Sequence, residues 1–365
     1  MDDMITHSFH YRKKSTGWQV ILSYKTGGKW KQKSKQGFAQ KNLAKAAGEK
    51  LLKELEENYV PTPEDPILQN ITLEKFWFIY KEDKCKNMET STIVNYKCAL
   101  KCFPQLCRIP LVKLTNVNIQ NAINTSPVSI STTKTYMGKL SAMMSHALTF
   151  YQLINKNPFT MVTYPKEKEK SPVKTITSNE FSMLYLYLKD AHYLNSVVAS
   201  IAYYTGMRYA EIIGLTWDNI DLKHNEIKVT QQFKLFMDEN NVITYKLAPL
   251  KTLNSYRNIP IPDTLNKIIA EYGNAKIHPA NDGRIFPVRT SYSSNINKDL
   301  QKVLPKNSIH DLRHTYATTL LSKGVDIKTV AALLGDTVKV VIDTYLDYTE
   351  SMRKNAAQNI KKIFD

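Results

Sequence analysis

Three prolines within six residues, PTPEDP at 61–66, forbid regular structure there. A second interruption, YPKEKEKSPVK at 164–174, is charged and flanked by proline. A chain cut twice in this way cannot close round one continuous core. It must build separate bodies, and the breaks leave three: 1–60, 67–163 and 174–365. The 365-residue length agrees with two or three domains at roughly 150 residues each.

The three segments carry different patterns. From Met4 to Gly48 there is no acidic residue, while Arg12, Lys13, Lys14, Lys25, Lys29, Lys31, Lys33 and Lys35 crowd the stretch. WQVILSY (18–24) is rich in strand formers, TGG (26–28) supplies a turn, and KWKQKSK (29–35) alternates Lys with other residues. Phe38, Leu43, Ala47, Leu51 and Leu55 then recur at helical spacing over 38–59. The expectation is a three-stranded sheet backed by one helix. Arg12, Lys13, Lys14, Lys29, Lys31, Lys33 and Lys35 are its candidate DNA contacts.

Residues 71–162 read as all helix, in segments 72–85, 90–103, 117–124 and 131–153, with Thr72, Thr90 and Ser131 as N-caps and NPF (157–159) ending the last. The third segment is mixed. Helices are expected at 177–189, 193–205 and 209–216, β-like runs at 226–236, 242–248 and 256–261 about a DENN turn, and helices again from 263. The fold class is therefore α+β: a small sheet with a helix, a helical bundle, and a mostly helical domain with a β-hairpin sheet.

Charge narrows the function. Fifty Lys and Arg against 33 Asp and Glu give +17, which favours a polyanionic partner. MDDMITHSFHYRKK opens with acids and has no apolar stretch, unlike a secretory signal. The longest apolar candidate, 191–207, is broken by His, Asn, Ser and Thr, so no membrane association is expected. Cys85, Cys98, Cys102 and Cys107 are spaced C-x12-C-x3-C-x4-C, without the two separate short knuckles of a structural zinc site. Reduced thiols in the cytoplasm, no metal and no cofactor are the expectation.

Four local signals lie in the third segment. In TGMRYAEIIGLTW (205–217), Gly206 lets the chain turn between two apolar helices, and Arg208 stands one turn before Glu211. In PLKTLNSYRNIPI (249–261), Lys251 sits in a turn between strands. HDLRHTYATTLL (310–321) puts His310 and Arg313 on one helical face. LLGDTVKVVIDTYLDY (333–348) brings Tyr345 late in a short helix. Singly, each has an ordinary reading: a surface ion pair, a solvated Lys, a His310/His314 spacing without the Glu of a zinc protease, a core tyrosine.

In this order, together with the wording around them, they resemble the tyrosine recombinase (phage integrase) family: Arg, hairpin Lys, His-x-x-Arg, then His or Trp, then Tyr. The resemblance runs along the whole chain, since many integrases of phages and conjugative elements also carry an arm-type DNA-binding domain and a helical core-binding domain. It implies a site-specific recombinase that integrates and excises a mobile element, a viral genome for instance, through a covalent 3′-phosphotyrosine. Tyr345 would be the nucleophile, Arg208 and Arg313 the phosphate clamp, Lys251 the general acid, and His310 a phosphate contact or base. Glu211 would orient Arg208. The chemistry fits: a Tyr hydroxyl conserves bond energy in a covalent intermediate, and two guanidiniums offset phosphate charge.

One position departs from the family. Asp336 stands where His or Trp is usual, and a carboxylate repels a phosphate unless paired or protonated. Asp336 is expected to cap the Tyr345 helix, with Thr337 beginning it, and to brace an Arg. The resemblance further implies double-stranded attachment-site DNA, a homotetramer on DNA, and accessory DNA-bending or excision factors. Other functions with the same features are a type IB topoisomerase-like enzyme and a catalytically inactive DNA-binding regulator. In the tail, 350–365, an apolar stripe through Met352, Ala356, Ile360 and Ile363/Phe364 marks a helix that docks either on the chain's own catalytic domain or, exchanged, into a neighbouring protomer.

Overall fold

The computed structural model describes residues 7–26, 29–57, 68, 70–84, 88–166, 173–238, 242–275, 279–290 and 293–345. Cys85, most of both linkers, the DENN turn after Asp238, Tyr348 and the whole 350–365 tail lie outside them. The chain divides into two compact units, Met1–Glu169 and Lys170–Asp365. The expected α+β class holds, with helices dominating and only small antiparallel sheets.

In the first unit, β1 (His7–Lys14), β2 (Gly17–Thr26) and β3 (Lys29–Phe38) form an antiparallel sheet in the order β1-β2-β3. The expected helix starts three residues late, as α1 (Lys41–Glu57), because β3 runs on through Phe38. Val20, Leu22 and Tyr24 from β2 pack with Ala44, Leu51 and Leu55 of α1. Alternation then fixes what lies on each face. Lys31, Lys33 and Lys35 pair with Tyr24, Leu22 and Val20, so they share the helix side of the sheet. Arg12 and Lys14 pair with Gln19 and Gly17 and lie on the other side. There Lys14 bonds Gln36 at 3.2 Å and Gln32 bonds Ser23 at 3.2 Å.

Further along the same unit run α2 (Leu73–Lys84), α3 (Thr90–Cys102), α4 (Pro104–Cys107), α5 (Asn116–Asn124) and α6 (Ile130–Thr149). Their apolar faces close on Phe76, Phe103, Met137, Leu140, Met143 and Met144, all essentially without solvent contact. Two caps differ from expectation. Glu89 rather than Thr90 precedes α3, and Ser129 rather than Ser131 caps α6, accepting from the Thr132 N–H at 3.3 Å. Helix α6 also stops at Thr149, and NPF opens a separate 3-10 turn capped by Asn157.

The second unit packs α7 (Ser178–Ala191), α8 (Tyr193–Thr205), α9 (Tyr209–Ile213), α10 (Asp263–Asn274), α11 (Ser294–Val303), α12 (Ile309–Ser322) and α13 (Ile327–Leu334) around two small sheets. The run expected at 226–236 is two strands, β5 (Glu226–Val229) and β6 (Gln231–Met237), in different sheets. β5 lies between β4 (Ile220–Asp221) and β8 (Arg257–Pro260), whereas β6 forms a hairpin with β7 (Ile243–Pro249). Residues 338–345 are helical, and Val341 and Tyr345 from them pack with Ala317, Leu321, Val330 and Leu334 of α12 and α13. No helix among the described residues is long and apolar enough to cross a membrane.

Candidate active site

Helix α8 ends at Gly206, whose φ of +64° is left-handed, a conformation glycine adopts without a Cβ clash. A Cβ there would also stand 2.5 Å from the Tyr316 ring. The turn delivers Arg208 to the N-cap of α9, where its backbone N–H and its Nη1 each donate to Glu211 at 2.9 Å. Glu211 is buried, and Arg257 of β8 approaches it too, Nη2 donating at 2.8 Å. Burial pushes the Glu211 carboxyl up, but Arg257 and then Arg208 more than offset this, so it titrates below the ordinary glutamate value. Arg257 is itself pinned by the Leu333 and Ser255 carbonyls at 2.7 and 2.9 Å.

The second convergence comes from α13. It closes on Gly335 at φ +65°, where a Cβ would meet Arg257 Nη1 at 2.8 Å. The next residue, Asp336, reaches both arginines of the expected clamp. Its Oδ1 accepts from Arg208 Nη2, and its Oδ2 accepts from Arg313 Nη2 at 2.5 Å. Arg313, only 3% exposed, also donates to the Gly206 carbonyl at 2.6 Å and the Leu334 carbonyl at 2.9 Å. The expected bracing by Asp336 is thus double. Its expected capping role passes to Thr337, whose hydroxyl accepts from the Val340 N–H at 3.3 Å.

Lys251 lies between β7 and β8, exposed, with no hydrogen-bond partner among the described residues. A cleft of about 350 Å³ has Lys251, Arg208, Asp336, Thr252 and Asn254 in its wall. His310 stands one helical turn before Arg313 on α12 with its side chain reachable by solvent, and partial desolvation of the ring, then Arg313, lowers its pKa. Its ring meets that of His314 edge-on at 4.6 Å.

The Tyr345 hydroxyl lies 2.8 Å from His314 Nδ1. Tyr345 is 4% exposed, and burial pushes its pKa up to about 12. Burial, then His310, pulls His314 down to about 4, so its imidazole is neutral at pH 7. The tautomer with its proton on Nε2 lets the Tyr345 hydroxyl donate to Nδ1.

Three family models match in chain order: an arm DNA-binding domain over 8–55, a phage integrase N-terminal SAM-like domain over 72–126, and the phage integrase family over 174–351. The chain belongs to the phage integrase family of tyrosine recombinases. A XerC-like tyrosine recombinase of Caldanaerobacter subterraneus is 30% identical over 224 residues. That match covers 55% of this chain and 57% of the relative, so the chain spans little more than half of that relative's length. The integrase of Staphylococcus phage L54a is 24% identical, covering 77% of this chain and 89% of the phage protein. Among solved folds, the Tn1549 transposon integrase bound to transposon right-end DNA superposes with a TM-score of 0.64 at 17% identity, covering 78% of this chain and 99% of that one. A lambda integrase dimer on a core site gives 0.57 at 15% identity, covering 94% and 96%.

The structure therefore gathers Arg208, Glu211, Arg313 and Asp336 into one bonded cluster, with Lys251 in the adjoining cleft and His310 beside Arg313. Two members escape a sequence reading. Arg257 is signalled only by its place at the head of the NIPI strand. His314 follows Arg313 directly, and its spacing from His310 invites a metal reading that hides its contact with Tyr345. No group of three or more potential metal ligands occurs among the described residues.

Proposed function

We propose that this chain cuts and rejoins double-stranded DNA at specific sites through a 3′-phosphotyrosine on Tyr345, integrating and excising a mobile element from within the cytoplasm. The observation that carries the proposal is the convergence of Arg208 and Arg313 from separate helices on one anion position, beside the Lys251 cleft. Tyr345 Oη attacks the scissile phosphorus while its proton passes to His314 Nδ1. Arg208 and Arg313 hold the non-bridging oxygens and stabilise their charge. The bond from phosphorus to the 5′ oxygen breaks, and Lys251 supplies the proton that this oxygen takes. His310 contributes a further hydrogen bond to the phosphate. Glu211 and Arg257 act through Arg208, holding its guanidinium in place.

We assign residues 1–60 to arm-site binding, 67–163 to core-site binding and 174–365 to catalysis. Similar proteins support an assembly on DNA: one lambda integrase structure is a tetramer bound to a Holliday junction. A homotetramer on paired sites, with accessory DNA-bending or excision factors, is the corresponding proposal here.

The test uses DNA selected from random sequence for binding by the full chain, then nicked to prevent religation. A covalent adduct should persist on denaturing gels with the native chain and vanish with Tyr345→Phe, whose DNA affinity should be unchanged. An adduct that survives Tyr345→Phe would refute the assignment. Relaxation of supercoils without strand exchange would favour a topoisomerase, and DNA binding without any adduct a regulator.

A further inference from the structure

The anion position between the two arginines is already filled. Asp336 presents one carboxylate oxygen to Arg208 Nη2 and the other to Arg313 Nη2, bridging two guanidiniums as two non-bridging phosphate oxygens would. It also stands in the way. The cleft is walled by Arg208 and Asp336 but not by Arg313, which is 3% exposed. Arg208 has its side chain 36% open to solvent and Asp336 20%, so a phosphate entering from the cleft meets Arg208 and the carboxylate first. Both hydrogens of Arg313 Nη2 are engaged, one by Asp336 and one by the Leu334 carbonyl.

We propose that Asp336 is an internal stand-in for the scissile phosphate, holding the arginine pair together in the free protein and giving way when the DNA phosphate enters. Two guanidiniums this close repel each other, and in a buried setting that repulsion is poorly screened. The carboxylate offsets it and keeps the clamp formed before substrate arrives. The same carboxylate would repel a phosphate placed beside it, so it cannot stay where it is. Phosphate binding is then an exchange of one anion for another across the same two Nη2 groups. Its net gain is the difference between two charge-assisted sets of hydrogen bonds, rather than the whole of one. That exchange makes occupancy of the clamp sensitive to how well a phosphate is positioned. The family habit of His or Trp at this position leaves no such competitor.

This rests on the recombinase reading above, and the experiment separates the two. Full-length chains carrying Tyr345→Phe, so that binding is measured without cleavage, are titrated with the selected duplex at one fixed salt concentration. The duplex carries either its natural phosphate or a neutral methylphosphonate at the mapped cleavage position. The quantity read is the affinity ratio between the two duplexes. An overall loss of folded protein lowers both affinities alike and leaves the ratio unmoved. If Asp336 competes with the phosphate, Asp336→Asn should raise that preference for the natural phosphate by roughly tenfold, the size of one charge-assisted contact. Asp336→His should raise it as well, which guards against a fold defect peculiar to one variant. A preference that falls or stays constant in both variants, while the chain with Asp336 still favours the natural phosphate, overturns the stand-in and leaves the recombinase reading intact. No preference in any variant overturns both.

Discussion

Replacing His314 with Asn should slow adduct formation about a hundredfold, the usual worth of a positioned base, while leaving DNA affinity unchanged. At pH 7.5 a hydroxyl with a pKa of about 12 is ionised in roughly 3 of 100,000 molecules, so Tyr345 needs an acceptor for its proton. His314 Nδ1 is in place at 2.8 Å, and its pKa near 4 keeps it unprotonated. Asn can still accept a hydrogen bond where Nδ1 stood, so packing is conserved and only basicity is lost. The pH dependence has a definite sign. Lowering an imidazole from 6.5 to about 4 corresponds to about 3 kcal/mol of preference for its neutral form. Because the folded value lies below the unfolded one, that stability is whole above pH 6.5 and is lost as pH falls toward 4. Single-turnover adduct formation should therefore show no His314 titration between pH 8 and 6. Ring NMR of the full chain, with His314 assigned by the Asn variant, should find a midpoint below 5. A midpoint between 6 and 7, or an Asn variant that cleaves at the native rate, would refute the reasoning.

Arg257→Ala removes a partner from the buried Glu211 carboxylate and should cost roughly 3 kcal/mol, with partial recovery when combined with Glu211→Gln; an unchanged melting temperature would contradict the network. Gly206→Ala forces a side chain into a left-handed backbone and against Tyr316, so it should cost at least about 1 kcal/mol from φ alone and impair the adduct, by melting and gel assay. If the face of the arm sheet away from α1 meets base edges and the helix-side lysines meet phosphates, Arg12→Ala or Gln32→Ala should relax sequence preference, whereas Lys31→Ala should weaken binding to all sequences and reduce the salt slope by about one, measured by titration at several salt concentrations. Equal effects from both faces would contradict that division.

The sequence carried the fold class because helical periodicity and strand alternation are local. It also marked Arg208, Lys251, His310, Arg313 and Tyr345 as candidates, since each sits in a short stretch whose wording resembles one family. What escaped it was non-local. Arg257 of β8 meets Glu211 of α9 across 46 positions, its guanidinium held by the Leu333 carbonyl of α13. His314 meets Tyr345 across 31, through the packing of the last helical residues on α12. The faces of the arm sheet depended on register: β3 alternates Lys as plainly as expected, but only its pairing with β2 shows those lysines on the helix side. Asp336 looked like a cap by position, and two guanidiniums arriving from elsewhere claimed its carboxylate instead.

The most direct measurement is to trap the adduct on nicked duplex, digest the protein and locate the nucleotide by mass spectrometry. The account predicts a 3′-phosphodeoxynucleotide on the peptide that contains Tyr345, attached to that tyrosine. A nucleotide on Tyr348 or on any other residue, or no modified peptide under conditions where the DNA is cut, would contradict it.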